Sequence, residues 1–237
     1  MIDEQRIIDR RDEQVQVSAG EVELPGRLTV PPDAIGMVVF VHGSGSSRHS
    51  PRNRYVAEVL NRAGLGTLLF DLLTPAEEAD REQVFDIALL AGRLVEVTDW
   101  VRGLGAIGDL PLGYFGASTG AAAALRAAAV HGAGTAAVVS RGGRPDLAGS
   151  ALEAVQAPTL LIVGGQDPVV LDLNHRAQTA MSCESAVAVV PGATHLFPEP
   201  GALEEVAELA RDWFVAKFGR VAGKHSEAAD REPTIDR

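Results

Sequence analysis

Short, unbroken apolar runs recur along this chain: Met37-Val38-Val39-Phe40-Val41, then residues 66–70, 112–115, 136–140, 159–163 and 185–190. Runs of this length without polar alternation predict strands buried on both faces. Between them lie segments with helical apolar spacing, near 53–63, 84–102, 119–131, 169–181 and 202–218. Strands alternating with helices predict an α/β fold whose sheet is mostly parallel, with helices on both faces. The N-terminal part reads differently. Gln14-Val15-Gln16-Val17 alternates, Glu21 to Val30 alternates again, and Ser18-Ala19-Gly20 lies between them, which predicts an antiparallel hairpin at the sheet edge. With the hairpin the sheet has about eight strands.

Composition sets the scale. The chain has 237 residues and 46% apolar content, enough for the core of one α/β domain, assigned to residues 1–218. Residues 219–237 are polar and charged, carry Gly223 and Pro233, and are expected to form a disordered tail. A formal charge of −11 argues against a nucleic-acid surface, since no basic stripe is present to neutralise phosphates. No apolar run approaches the ~20 residues that span a bilayer, and Met1-Ile2-Asp3-Glu4-Gln5-Arg6 lacks an export pattern, so the expected location is the cytoplasm. Cys183, the one cysteine, reads as a structural thiol.

The chemistry is concentrated at strand ends. After the run 112–115 comes Gly116-Ala117-Ser118-Thr119-Gly120, followed by the helix former Ala121-Ala122-Ala123-Ala124-Leu125-Arg126. A serine between two glycines on a strand-turn-helix junction is the setting of a nucleophile elbow. Asp167 lies just past the strand 159–163, and His195 just past the strand 185–190. The order Ser118, Asp167, His195 is the one associated with that elbow: His195 as base, Asp167 as the acid that orients it. Asp146, in the loop after 136–140, is the alternative acid. The strand 37–41 runs into His42-Gly43-Ser44-Gly45-Ser46-Ser47, so the backbone N–H groups of Ser44 and Thr119 are the candidate oxyanion-hole donors. Sites on such sheets lie beyond the carboxyl ends of the strands, where all these elements fall.

Other motifs lose their force in context. Gly103-Leu104-Gly105-Ala106-Ile107-Gly108 spells a dinucleotide fingerprint but follows a helix and precedes a strand, the reverse of what phosphate cradling needs. The loop 43–47 lacks the lysine of a P-loop, and the histidines show no paired metal spacing. No cofactor or metal is expected. His49, His131 and His175 read as surface or helix-end residues.

From about Val15 to Phe218 the residues His42-Gly43, Ser118, Asp167-Pro168 and Gly192-Ala193-Thr194-His195 resemble the α/β-hydrolase superfamily, and within it the dienelactone-hydrolase-like branch. The resemblance implies the α/β-hydrolase fold and a hydrolase acting on a small ester-like substrate. Dienelactone hydrolases proper carry cysteine as nucleophile, where this chain has Ser118, so their lactone reaction is not carried over. Similar domains occur fused or adjacent to phosphoribosyltransferase domains, which makes such a protein a possible partner by resemblance only. The connection from Arg141 to Pro158 is too short for a large helical cap, which favours an open site. Arg48 follows the candidate oxyanion loop and Arg141 and Arg144 follow a strand's carboxyl end; all three are candidates for binding a substrate carboxylate, with Asp71 a candidate to pair with one of them. The expected function is a serine hydrolase of carboxylic esters, thioesters or lactones. An acyltransferase on the same residues and a low-turnover binding or partner module are the alternatives.

Overall fold

The apolar runs become the interior of one eight-stranded sheet, ordered β1-β2-β4-β3-β5-β6-β7-β8. A computed structural model describes residues 8–229. The hairpin is β1 (Arg11–Ala19) and β2 (Val22–Val30), antiparallel with Val15 opposite Gly26. β2 pairs antiparallel with β4 (Leu65–Phe70), and from there every pairing is parallel, through β3 (Gly36–Val41), β5 (Leu112–Ala117), β6 (Ala137–Arg141), β7 (Thr159–Gly164) and β8 (Ser185–Val190). β3 sits between β4 and β5, so the strand order reverses there and opens a crevice at its carboxyl end.

Two cores explain why the central strands read as continuous apolar runs. Val39, Val41, Tyr114 and Val138 pack on one face against α4 (Ile87–Arg102) and α5 (Thr119–His131). Val38, Phe40, Phe115 and Val139 pack on the other against α1 (Pro51–Arg62) and α7 (Ala202–Ala229). Glycines set how closely α7 can lie on the sheet. A Cβ on Gly36 would stand 2.1 Å from the Phe218 ring, and one on Gly113 would stand 2.8 Å from Phe214. The two rings lie 5.5 Å apart, centroid to centroid. Lys217, buried on the same helix, donates to Glu184 at 2.5 Å and covers the Trp213 ring.

Several boundaries differ from the sequence expectation. The helix expected from residue 84 starts at Ile87, because Asp86 accepts from the N–H groups of Ala88 and Leu89 and caps it there. Ahead of it are two one-turn helices, α2 (Pro75–Glu78) and α3 (Arg81–Val84), started by side-chain caps from Thr74 and Asp80. The connection after β6 folds into a 3₁₀ run, Pro145–Ala154, kinked at Gly149 with φ 59°. The remaining helix, α6 (Pro168–Ala180), follows β7. The α7 backbone continues past Phe218 to Ala229, so the first part of the segment expected as a disordered tail is helical, and residues 230–237 lie outside the described residues. Gly103 to Gly108 form a helix exit, with Gly103 as C-cap of α4 and a 3₁₀ turn at Gly105–Ile107. Cys183 is half-buried, and burial pushes its thiol pKa up, consistent with a structural role. No helix of the described residues is long and apolar enough to cross a membrane.

Phe214 is fully buried where α7 meets the sheet. Phe214→Ala should cost about 3–5 kcal/mol, read as a lower urea midpoint with an unchanged slope. A loss within about 1 kcal/mol would mean that α7 is not part of the cooperative core.

Candidate active site

Ser118 sits between β5 and α5 with φ 51° and ψ −122°, a conformation that L residues other than glycine rarely adopt and that stores about 1–3 kcal/mol of strain. The close packing around it shows why both flanking residues are glycine. A Cβ on Gly116 would lie 2.5 Å from Ala121 Cα, and one on Gly120 would lie 2.2 Å from the Val41 carbonyl oxygen. The strained turn is held by its backbone: Ser118 N–H donates to the Arg141 carbonyl at 3.2 Å, and the Ser118 carbonyl accepts from Ala121 N–H at 3.1 Å and Arg144 N–H at 3.0 Å. Its side chain does not cap α5, which leaves the hydroxyl outside the helix hydrogen-bond scheme.

The residues after β7 and β8 converge on one another. His195 Nδ1 lies 2.8 Å from Asp167 Oδ2. Asp167 is also the N-cap of α6, its Oδ1 accepting from Val170 N–H at 3.4 Å, so one carboxylate starts the helix and holds the imidazole. Gln166 N–H donates to the Ala193 carbonyl at 2.9 Å, and a Cβ on Gly164 would lie 2.4 Å from that oxygen, which locks the two loops together. Phe197, at φ 56° and 2% exposed, buries its ring in the α7-side core and anchors the segment carrying His195. A Cβ on Gly142 would lie 3.5 Å from His195 Nδ1. Gly142 follows Arg141, whose carbonyl holds Ser118, so the imidazole and the serine share one neighbourhood. Asp146 is engaged elsewhere, accepting two hydrogen bonds from the Arg144 guanidinium at 2.8 and 2.7 Å.

The loop after β3 passes directly behind the serine, since a Cβ on Gly43 would come within 3.0 Å of Ser118 Cβ. Ser44 N–H does not point into empty space: it donates to Thr119 Oγ1 at 2.9 Å, so the two candidate oxyanion residues are linked to each other. His42 fixes this loop. Its Nε2 accepts from Leu72 N–H at 3.1 Å, which leaves the ring proton on Nδ1 to be donated to the Gly43 carbonyl at 3.0 Å. Arg48 ties the same loop to the end of β4, its N–H donating to Asp71 Oδ1 at 2.7 Å and its guanidinium to Oδ2. A cavity of about 720 Å³ opens beside Ser44, walled by residues 42–47, the first turn of α1, Leu72, Leu73 and the short helices at 75–84.

The three candidate arginines therefore have different surroundings. Arg48 is paired with Asp71 and Arg144 with Asp146, whereas Arg141 is buried with its Nη1 lacking any partner among the described residues. Burial, reinforced by the nearby charge of Arg52, brings the Arg141 pKa down to about 10. Arg52, absent from the sequence candidates, lines the cavity in the first turn of α1. Its place beside Ser50-Pro51, a helix-start signal downstream of the glycine-serine loop, is the one sequence signal that could have singled it out.

Burial pushes the His42 imidazole below its ordinary value of 6.5. As pH falls through that value the unfolded chain takes up the proton first, so the native state loses stability on the acid side. Between about pH 7 and pH 5 the urea midpoint should fall in wild type and fall less steeply in His42→Gln. Parallel slopes would show that His42 is not a buried neutral acceptor.

No family model matches this chain. Two Mycobacterium tuberculosis proteins from different strains, whose name assigns them provisionally to the phosphoribosyl transferases, are 65% identical over 205 residues. That match covers 86% of this chain and 46% of the relatives, so the chain spans about half the length of the curated relatives it matches. Among solved structures, the dienelactone hydrolase from Anabaena variabilis is 55% identical with a TM-score of 0.86, the match covering 88% of this chain and 98% of that one. Est1E from Butyrivibrio proteoclasticus shares the fold at 15% identity and a TM-score of 0.73, covering 87% of this chain and 99% of that one. With an α/β-hydrolase sheet and a relative at this identity matched over almost its whole length, the chain belongs to the dienelactone-hydrolase-like α/β-hydrolases.

Proposed function

We propose that the protein is a serine hydrolase acting on a carboxylic ester, thioester or lactone through an acyl-enzyme. The observation that carries this reading is the 2.8 Å contact between His195 and Asp167 beside a serine held at positive φ. With Nδ1 committed to the carboxylate, Nε2 is the nitrogen left to take the Ser118 proton. The hydroxyl oxygen then attacks the carbonyl carbon, the ester C–O bond breaks, and the leaving group receives the proton from His195. Water, deprotonated by the same imidazole, releases the acid and restores the serine. The negative charge that develops on the carbonyl oxygen is met by Thr119 N–H and Ser44 N–H, the latter exchanging its Thr119 Oγ1 partner for the substrate.

The relative from Anabaena variabilis supports hydrolase chemistry by its name. Ser118 in place of the cysteine typical of dienelactone hydrolases argues for ester chemistry of a harder nucleophile. The short α2–α3 wall leaves the site open to small or extended substrates rather than to long buried acyl chains. A phosphoribosyltransferase-type neighbour, covalent or otherwise, is supported by the name of the mycobacterial relatives and by the 46% coverage of their length. A cytoplasmic setting is supported by cysteine usage limited to Cys183.

Release of 4-nitrophenol from short-chain esters tests the reading. Wild type should give a pre-steady-state burst followed by turnover, and Ser118→Ala should abolish both along with covalent labelling by an organophosphonate. Labelling that persists in Ser118→Ala would move the nucleophile elsewhere, and a burst without turnover would favour acyl transfer. The acid is tested separately. Asp167→Asn should lower kcat by about 10⁴-fold, with Asp146→Asn close to wild type; the opposite ranking would reassign the acid to Asp146.

A further inference from the structure

Arg141 is 7% exposed, and its Nη1 is buried with no hydrogen-bond partner among the described residues. Arg52 has its Nε buried and likewise without a partner. Three other arginines around the cleft are paired with acids: Arg48 with Asp71, Arg93 with Glu77 and Arg144 with Asp146. Acids are not scarce in this chain, which has 32 Asp and Glu against 21 Lys and Arg. Buried charge without a counterion is costly, and native proteins rarely leave it so unless a ligand completes the site.

The placement of the two side chains relates them to the nucleophile. Arg141 ends β6, and its carbonyl holds the Ser118 N–H. Ala137 and Val139, the residues in register with it along the strand, face the layer formed by α1 and α7. Arg141 therefore projects to the side where α1 begins. Arg52 lies in the first turn of that helix, at the positive end of its dipole, and lines the cavity that also contains Ser44. The repulsion that Arg52 exerts on Arg141 is evidence that the two charges share one electrostatic environment.

We propose that Arg52 and Arg141 hold the phosphate group of a phosphorylated ester, whose carbonyl is presented to Ser118. Two guanidiniums, each with a buried nitrogen that lacks a hydrogen-bond partner, match a dianion. A phosphomonoester carries about −1.5 to −2 near neutral pH and offers oxygens suited to bidentate guanidinium contacts. A single carboxylate would leave one of the two cations uncompensated. The phosphate is a handle and is not cleaved: the bond broken is the carboxylic ester C–O bond, the bond formed is Ser118 Oγ to the acyl carbon, and water completes the turnover. This assignment rests on Ser118 being the nucleophile, whereas the anion site does not.

Inorganic phosphate is the first probe, titrated calorimetrically at fixed ionic strength against wild type, Ser118→Ala, Arg141→Gln and Arg52→Gln. Wild type and Ser118→Ala should bind alike, and each arginine variant at least about tenfold more weakly. Arg141→Gln removes an unpaired buried charge and is expected to keep or raise the Tm in phosphate-free buffer. Arg52 is only half-buried, so its variant carries the same expectation should Arg141→Gln fail to fold. The second measurement is acetate release from the acetyl esters of glycerol phosphate and of glycerol. The ratio of kcat/KM should favour the phosphorylated ester at least about tenfold in wild type and fall toward one in either arginine variant. Phosphate binding no tighter than that of acetate or chloride would overturn the anion site. Tight phosphate binding without preference for the phosphorylated ester would overturn the substrate assignment and leave free phosphate as the ligand. Hydrolysis surviving in Ser118→Ala, with phosphate binding intact, would remove the serine reading and not the site.

Discussion

A Cβ on Gly120 would stand 2.2 Å from the Val41 carbonyl oxygen, and on that close approach of α5 to the end of β3 the rest of the site depends. The same crowding acts at Gly116, against Ala121, and at Gly43, against Ser118 itself. Three backbone segments from three different elements are thus packed to contact around one residue. Ser118 takes a positive φ because the chain must leave β5 and enter α5 within that space. The strain is offset by the hydrogen bonds from Ser118 to Arg141 and from Ala121 and Arg144 to Ser118. A turn fixed by backbone contacts has little freedom to relax when a substrate arrives, which is what a preorganised site requires.

The second half of the site is built on the same principle with different means. Gly164 lets the loops after β7 and β8 interlock, and Asp167 divides its two oxygens between the start of α6 and His195. An acid that is also a helix cap cannot swing away without unravelling a turn. Phe197 plays the corresponding part for the histidine, paying for its own positive φ with a fully buried ring. The loop after β3 is secured by His42 to the backbone of Leu72 and by Arg48 to Asp71. Charged and polar groups around the cleft therefore serve mainly to fix loops, which makes the unpaired Arg141 and Arg52 stand out.

Much of this was legible in the sequence because it depends on local rules. Apolar runs bounded by turn residues gave the order and type of the elements, since a strand buried on both faces has no room for polar residues. Helix 119–131 and strand 185–190 were placed to the residue, being bounded by a glycine-rich turn on one side and by clear polar flanks on the other. The short helices at 75–84 were not anticipated, because four-residue helices have no periodicity to read and depend on single caps at Thr74 and Asp80.

By itself the sequence determined the α/β architecture, the serine elbow, and the order Ser118, Asp167, His195, because each follows from spacing and residue type along the chain. Tertiary structure decided what spacing cannot carry. It brought Asp167 rather than Asp146 to His195, 28 positions apart in the chain, because β7 and β8 lie side by side. It gave Asp71 to Arg48 and Asp146 to Arg144, while Arg141 received no acid, although the sequence offers all three arginines alike as candidates for a substrate carboxylate. Pairing of charges is a matter of which side chains meet across different elements, and one-dimensional order does not contain that information. The influence of Arg52 on Arg141 belongs to the same class: one comes from a helix start and the other from a strand end, and only the packing of α1 on the sheet brings one charge within electrostatic reach of the other.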